Sequence, residues 1–86
     1  MDNLNANTQP NTSMPSMPQI PRMISIQQVE DCIGLSSSTI YDMLNKRSKR
    51  YDPTFPVQVK MTKGRVAWVE SEVAQWIERK MAARFH

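Results

Sequence analysis

The spacing of apolar residues near the middle of the chain predicts two short helices joined by a tight turn. From Ile26 to Ile33, apolar side chains recur every three or four residues, as on one face of a helix. Ser25 and Gln28 stand three residues apart at its start, which is the spacing of a capping box. We expect this helix to end at Gly34, because glycine readily takes the left-handed conformation found at helix ends.

A second helical segment follows at once. Ser36 is predicted to be its N-cap, since a serine side chain accepts from the first free backbone N–H groups, and the helix is predicted to reach about Lys46 or Arg47. Leu35 is expected to pack between the two helices. At about 100° per residue, one face is apolar and carries Ile40, Met43 and Leu44. The exposed N-terminus and the opposite face carry Ser37, Ser38, Tyr41, Asp42 and Asn45.

The next segment is predicted to be a loop followed by a β-hairpin. Pro53 and Pro56 prevent a helix from continuing, and Phe55 is expected to anchor the loop to the core. Apolar and polar residues then alternate over 57–62 and again over 65–68, with a glycine turn between them. We expect the inward face of the hairpin to carry Val57, Val59, Val66 and Trp68. The outward face and the tip would present Lys60, Lys63 and Arg65.

A third helix ends the pattern. Ser71 is predicted to cap it, and its apolar stripe consists of Val73, Trp76 and Ile77. Arg79, Lys80 and Arg84 stand toward its C-terminal end, where the helix dipole favours positive charge, so they are not predicted to bind DNA. With Met23 and Ile24 as a short extended lead, the order helix, helix, hairpin, helix predicts an α+β fold. That fold is a small winged helix-turn-helix domain over residues 22–86.

Residues 1–21 are predicted to form a disordered N-terminal tail. They contain four of the six prolines and no lysine or arginine. Such a composition cannot bury enough apolar surface to offset the entropy of ordering. The tail lacks the basic start and apolar run of a signal peptide, and no segment approaches the ~20 apolar residues of a membrane helix. No contact with a membrane is expected.

The chain contains one cysteine and one histidine. Cys32 is expected to be a small core residue, and a single thiol permits neither an internal disulfide nor a cysteine-based zinc site. His86 is the last residue. These features favour a cytoplasmic location, and no metal or cofactor is expected. An enzyme is not expected either, since there is no internal histidine, no phosphate-binding loop and no pair of carboxylates placed around a pocket.

Positive charge is concentrated after the second helix. The whole chain has a net charge of +3, but residues 46–65 alone carry +6 and the remainder carries −3. A basic segment beside such a helix is the electrostatic pattern of phosphate binding, although a basic loop can also be only a solvated surface. The residues predicted to contact phosphate are Lys46, Arg47, Lys49 and Arg50.

The second helix and the hairpin are predicted to bind double-stranded DNA. A helix that begins with small polar side chains fits the major groove, with its first residues nearest the base edges. Asn45 can read adenine or only cap the helix, and Tyr41 can contact the backbone or be half buried. Asp42 would face a polyanion, which is unfavourable unless it accepts from a cytosine amino group or pairs with a neighbour such as Lys46. The predicted helix contacts are Ser37, Ser38, Thr39, Tyr41 and Asn45, and the predicted wing contacts are Lys60, Lys63, Gly64 and Arg65.

Three segments together resemble the AlpA-type phage and prophage regulators. They read GLSSSTIYDMLN, FPVQV and KMTKGRVAWVESEVAQWI, and the resemblance covers residues 23–82. Members of this family are small winged-helix DNA-binding proteins, related to phage excisionases and to the DNA-binding head of MerR regulators. The resemblance implies transcriptional control near an integrated element. It also implies action as a recombination directionality factor, which bends attachment-site DNA and steers an integrase toward excision.

The resemblance also implies roles for individual residues. It assigns Ser37, Ser38, Thr39 and Tyr41 to the major groove, Lys63, Gly64 and Arg65 to the DNA backbone or minor groove, and Trp68 and Trp76 to the core. The chain departs from the family near Ser37 and Asp42, where members usually carry a basic residue, so base specificity does not carry over. The implied partners are DNA, an integrase and further copies of the protein on DNA. The free protein is expected to be a monomer.

A protein-interaction module is the alternative function. The same fold would then dock on an integrase, a repressor or RNA polymerase, and DNA contact would be secondary. Such a role requires an exposed apolar patch. The sequence offers Tyr51, Phe55 and Phe85 as candidates for that patch.

Overall fold

The computed structural model describes residues 20–85, which form three helices and three short strands. The helices are α1 (Ile26–Ile33), α2 (Ser37–Leu44) and α3 (Glu70–Ala83). The strands are β1 (Met23–Ile24), β2 (Val59–Thr62) and β3 (Arg65–Val69). This architecture confirms the predicted α+β winged helix-turn-helix fold. The predicted disordered tail lies, apart from its last two residues, outside the described residues.

The caps of the first two helices follow the sequence signals. The Ser25 side chain accepts from the backbone N–H of Gln28 at 3.2 Å, and the Gln28 side chain accepts from that of Ser25 at 2.8 Å. Gly34 ends α1 in the left-handed conformation, with φ of 72°. The Ser36 side chain caps α2 by accepting from the backbone N–H of Thr39 at 3.3 Å. The predicted capping box and both predicted cap residues are therefore confirmed.

The second helix is shorter than predicted. It ends at Leu44, because Asn45 leaves the helical conformation with ψ of 113°. The Asn45 side chain then accepts from the backbone N–H of Arg47 at 3.0 Å, which holds the chain in a turn. The prediction that α2 reaches Lys46 or Arg47 is wrong, since asparagine competes with the helix for backbone hydrogen bonds.

The strands form one antiparallel sheet in the order β1-β3-β2. Ile24 faces Trp68 across the first pair, and Lys60 faces Val66 across the second. The hairpin turns at Lys63-Gly64, as predicted. Strand β2 has an irregular register between Lys60 and Thr62 and lies at the edge of the sheet.

The inward face predicted for β2 is wrong. Val57 precedes the strand and is 71% exposed, and Val59 is 39% exposed. The segment before β2 already buries Phe55 and Pro56, and the Pro56 carbonyl accepts from the Trp68 indole N–H at 3.2 Å. The register pairs Val59 with Ala67 and Lys60 with Val66, so Val59 lies on the sheet face opposite Val66 and Trp68. All four residues of β2 are exposed.

The core lies between the helices and β3. Its largest fully buried side chains are Trp68, Ile40, Val29 and Val73. Phe55 packs edge-on against Trp76, with 5.0 Å between the ring centroids. Both tryptophans are therefore core residues, as predicted, and Phe55 anchors the loop. Because Phe55 is buried, it is no longer a candidate for an exposed apolar patch, whereas Phe85 is exposed.

Two further predictions are wrong. Cys32 is exposed rather than buried, because Val29 occupies the buried centre of α1 and Cys32 lies to one side of it. Helix α3 begins at Glu70, directly after β3, so Ser71 lies inside the helix and does not cap it. The Glu70 N–H donates instead to the backbone carbonyl of Arg22 at 2.8 Å. None of the helices in the described region has the length and apolarity of a membrane span.

Candidate nucleic-acid interface

The turn between α1 and α2 is held by the side chains of Glu30 and Ser36, which accept from backbone N–H groups at the start of α2. The Glu30 carboxylate, from the last turn of α1, accepts from the backbone N–H of Ser37 at 2.6 Å. The Ser36 hydroxyl contacts the backbone N–H of Thr39 and also lies 3.2 Å from the Thr39 hydroxyl. These contacts satisfy N–H groups that a helix start leaves free. They fix α2 relative to α1, so α2 can present a rigid outward face.

The outward face of α2 is polar. Ile40 and Met43 are buried, which places Ser38, Tyr41 and Asn45 on the opposite, exposed side. The Tyr41 ring is also 6.2 Å from the buried Trp68 ring, measured between centroids. Tyr41 is therefore supported from behind by the core while much of its side chain reaches solvent. The other predicted helix contacts, Ser37 and Thr39, are partly buried.

The Asp42 carboxylate pairs with Arg50. The Arg50 guanidinium nitrogen Nη1 donates to Asp42 Oδ2 at 3.3 Å. This answers the question that the sequence left open, since the partner of Asp42 is Arg50 rather than Lys46. The one acidic side chain on the outward face of α2 is thus partly neutralised by the loop that follows it.

That loop is ordered by its own hydrogen bonds. The backbone N–H of Ser48 donates to the Asn45 carbonyl at 2.9 Å, and that of Tyr51 donates to the Ser48 carbonyl at 3.1 Å. The Ser48 hydroxyl accepts from the backbone N–H of Arg50 at 3.0 Å. These turns expose all four of the predicted phosphate contacts, Lys46, Arg47, Lys49 and Arg50.

Asp52 anchors the loop to the rest of the fold. Its carboxylate accepts from the Thr54 hydroxyl at 2.6 Å, from the Thr54 backbone N–H at 2.8 Å and from the Trp76 indole at 3.1 Å. Lys80 lies 3.5 Å away, and the Asp52 backbone N–H donates to the Met43 carbonyl. Burial raises the pKa of Asp52, but these hydrogen bonds and the Lys80 charge outweigh it and lower the pKa to about 2.

Sequence reasoning did not single out Asp52 or Glu30 as positioning residues. Asp52-Pro53-Thr54 is a local turn signal, since an aspartate side chain often binds the backbone two residues on. The contacts to Trp76 and Lys80 had no such signal. Lys80 lies in the last turn of α3, where the dipole favours it, and it also pairs with Asp52 and lies over the Trp76 ring.

The tip of the hairpin is basic and exposed. Lys63 and Gly64 form the turn, Arg65 begins β3, and Lys60 lies on β2. A side chain added at Gly64 would meet nothing within 4 Å, so the tip is open to solvent. All four predicted wing residues are exposed.

The basic side chains are mostly unpaired. Between Lys46 and Arg65 there are seven basic residues, and within the described part of the chain Arg50 is the one among them that forms an ion pair. The acid in the same stretch, Asp52, is engaged by Lys80. The loop and the hairpin therefore carry a surplus of positive charge. The His, Cys, Asp and Glu side chains of residues 20–85 form no group of three that could hold a metal ion.

The helix pair, its short capped turn and the β-hairpin define a winged helix-turn-helix protein with a polar helix face and a basic loop and wing. Comparison with known families gives a match over residues 22–81 to the family described as prophage CP4-57 regulatory protein (AlpA). The chain belongs to this family of prophage regulators, as its resemblance implied.

Two relatives are similar over most of their length. The DNA-binding transcriptional activator AlpA of Escherichia coli (strain K12) is 36% identical over 59 residues, which cover 69% of this chain and 84% of that protein. The uncharacterized protein ORF88 of Enterobacteria phage P4 is 35% identical over 77 residues, which cover 87% of this chain and 81% of that protein. No solved structure gave a significant match.

Proposed function

We propose that this protein is a sequence-specific DNA-binding regulator of a prophage or related integrative element. Helix α2 would enter the major groove, and the hairpin would contact the flanking backbone or minor groove. The observation that carries this proposal is the concentration of unpaired basic side chains on the loop and hairpin that flank the polar face of α2. Family membership and the DNA-binding activity named for the Escherichia coli relative support it independently.

The proposed contacts fall into three groups. Small polar side chains at the start of α2 would lie near base edges, where hydroxyl and amide groups can donate and accept. Basic loop residues would contact phosphates and supply affinity without sequence preference. These groups are Ser37, Ser38, Thr39, Tyr41 and Asn45 for the major groove, Lys46, Arg47, Lys49 and Arg50 for phosphate, and Lys60, Lys63, Gly64 and Arg65 for the wing.

Asn45 and Tyr41 have structural roles as well. Asn45 already accepts from the Arg47 backbone through its side-chain oxygen, so its amide nitrogen is the group left to donate to a base or phosphate. Tyr41 is held by Trp68, which would aim its hydroxyl at the DNA backbone.

Arg65 follows a turn that is open to solvent, and an arginine there can enter a narrow A·T minor groove.

We propose two activities for the bound protein, transcription control and excision. One small module buries only ~600–1,000 Å² on DNA, which is little for high affinity. Several monomers would therefore bind adjacent repeats and bend the DNA together. Bent DNA at a promoter would regulate transcription, and bent DNA at an attachment site would direct an integrase toward excision.

Footprinting tests these activities. The purified full chain is bound to DNA that flanks its own gene and the nearest integration site, and bending is scored on the bound fragments. Protected repeats beside the attachment core, together with bending, support the excisionase activity. Protection confined to a promoter supports transcription control alone. Absence of protection at moderate salt contradicts DNA binding.

One observation favours the alternative of a protein-interaction module. Val57, Val59 and Met61 are exposed along the outer edge of the sheet, which is an apolar strip without a partner in the described part of the chain. A docking role would depend on this strip rather than on the basic loop. Val57→Ser with Met61→Ser would then abolish regulation while DNA binding persists, whereas the DNA-binding proposal predicts that both persist.

A further inference from the structure

We propose that Asp42 and Arg50 together determine sequence specificity by reading a C·G base pair. This inference rests on the proposed DNA-binding function, and it adds a base contact to the phosphate contact proposed there for Arg50. It assigns a base-reading role to Asp42, the one acidic residue on the outward face of α2.

The position of Asp42 is the first argument. It lies four residues after Ser38, so both side chains project from the same side of α2, away from the buried Ile40 and Met43. A carboxylate on that side approaches the major groove whenever α2 does. Without a positive partner it would be repelled by the phosphates, and it would weaken binding to every sequence.

The ion pair with Arg50 removes that obstacle. Arg50 reaches Asp42 from the loop, with Nη1 3.3 Å from Oδ2, and the Arg50 backbone is tied to the Ser48 hydroxyl at 3.0 Å. The pair therefore places one positive and one negative group side by side on a rigid support. The side chains are 43% exposed for Asp42 and 66% for Arg50, so both can meet a ligand.

The hydrogen-bonding capacity left over matches one base pair. Arg50 uses Oδ2, and within the described residues Oδ1 of Asp42 keeps its capacity to accept. In the major groove cytosine presents an amino donor and guanine presents two acceptors. Asp42 would accept from the cytosine amino group, and the remaining guanidinium N–H groups of Arg50 would donate to guanine O6 and N7 or to the adjacent phosphate. A thymine at the cytosine position would present an acceptor to the Asp42 carboxylate. An adenine would pair with thymine, which offers Arg50 one acceptor and a methyl group where guanine offers two acceptors.

The test is selection of binding sites from a randomised duplex library by the full chain and its variants, followed by affinity measurement on the selected site. Wild type is expected to require cytosine at one position, and replacing that C·G pair is expected to weaken binding roughly 5- to 100-fold. Asp42→Asn is expected to lose this requirement or change it to adenine, while preferences at the other positions remain. Asp31→Asn, which removes an exposed acid from α1, is the charge-matched control and should keep the wild-type preference.

A double-mutant cycle tests the pairing. Arg50→Gln alone should weaken binding to the selected site, because it leaves the Asp42 carboxylate unpaired beside the phosphates. The double variant Asp42→Asn, Arg50→Gln should lose less than the sum of the two single losses.

Two outcomes would overturn the inference in different ways. If Asp42→Asn raises affinity for all duplexes equally and leaves every base preference unchanged, Asp42 only repels DNA, while the proposed function stands. If wild type binds no duplex even at low salt, the proposed function fails and the inference falls with it.

Discussion

The Glu30 carboxylate of α1 accepts from the backbone N–H of Ser37, the first residue of α2, at 2.6 Å. The bond spans the turn of the helix-turn-helix and adds a charged acceptor at the positive end of α2, where a negative group is favourable. Together with the Ser36 cap it holds the angle between the two helices. Glu30 is thus a positioning residue for the proposed recognition helix.

Removing this contact should destabilise the fold. Glu30→Ala leaves a partly buried N–H without its acceptor, and we expect a loss of about 1–2 kcal/mol in the free energy of unfolding. Urea denaturation measures this loss. Asp31→Ala, a change of the same type at the exposed neighbouring position, should cost much less. Equal losses for the two variants would show that the Ser37 contact contributes nothing.

The two glycines of the chain should respond differently to alanine. Gly34 has a positive φ of 72°, and an alanine there is strained even though no atom lies in its way. We expect Gly34→Ala to cost about 1 kcal/mol. Gly64 lacks a positive φ and has open space, so Gly64→Ala should change stability by less than about 0.5 kcal/mol. A comparable loss at Gly64 in the same denaturation assay would contradict this account of the hairpin turn.

Acid should weaken the fold through Asp52. Its pKa falls from 3.8 to about 2 in the folded protein, because hydrogen bonds and the Lys80 charge outweigh the effect of burial. The folded state then binds fewer protons than the unfolded state, so this stabilisation is present above pH 4 and is lost as the pH falls from about 4 to about 2. Since the site lies near the surface and is partly screened, we expect a contribution of about 1–2 kcal/mol.

Asp52→Asn separates this contribution from general acid denaturation. The variant should be less stable than wild type at pH 7, and the difference should shrink as the pH approaches 2. Urea denaturation at several pH values measures both curves. Asp31→Asn controls for the loss of one negative charge. A constant difference between wild type and Asp52→Asn across the acid range would exclude Asp52 as the source of the pH dependence.

The local parts of the fold were predictable from sequence, and the parts that depend on distant contacts were not. The capping box at Ser25, the stop at Gly34 and the cap at Ser36 all lie within a few residues of the groups they bind, so residue spacing alone reveals them. The prediction that Val57 and Val59 face inward is wrong because alternation within one strand does not reveal its register with the next strand. The predicted start of α3 is wrong because the Glu70 N–H donates to the carbonyl of Arg22, which lies far away in the chain.

The same distinction applies to the candidate site. The basic loop and wing are visible in the sequence as a run of charge, and their exposure in the fold agrees with that pattern. Glu30 and Asp52 were missed because their partners lie seven and twenty-four residues away, at Ser37 and Trp76. The Asp42–Arg50 pair spans eight residues and crosses the end of α2, which the sequence predicts at Lys46 or Arg47 rather than at Leu44.

The wing should contribute to DNA affinity through charge. Arg65 is exposed and forms no ion pair within residues 20–85, so Arg65→Ala should leave thermal stability unchanged. It should weaken DNA binding and lower the slope of log affinity against log salt by about 1. Arg65→Lys keeps the charge, and should keep the slope while losing any preference for narrow A·T tracts.

Arg84→Ala provides the control for the wing. Arg84 follows α3 and lies against the Phe85 ring, with 4.8 Å between the guanidinium carbon and the ring centroid. It lies outside the proposed interface, so its removal should leave the salt dependence as in wild type. Equal effects of Arg65→Ala and Arg84→Ala would mean that net charge alone, rather than the wing, drives binding.

Residues 1–20 should be dispensable for DNA binding, whereas Arg22 should be needed for the stability of the fold. No lysine or arginine precedes Arg22, so deletion of residues 1–20 removes no group that attracts phosphate, and affinity should change by less than about tenfold. Deletion of residues 1–22 goes further, because Arg22 pairs with Glu70 at 3.0 Å and its carbonyl accepts from the Glu70 N–H at the start of α3. The longer deletion should therefore lower the melting temperature, and the shorter one should not. A loss of affinity well beyond tenfold in the shorter deletion, with unchanged melting, would place a DNA contact in the tail.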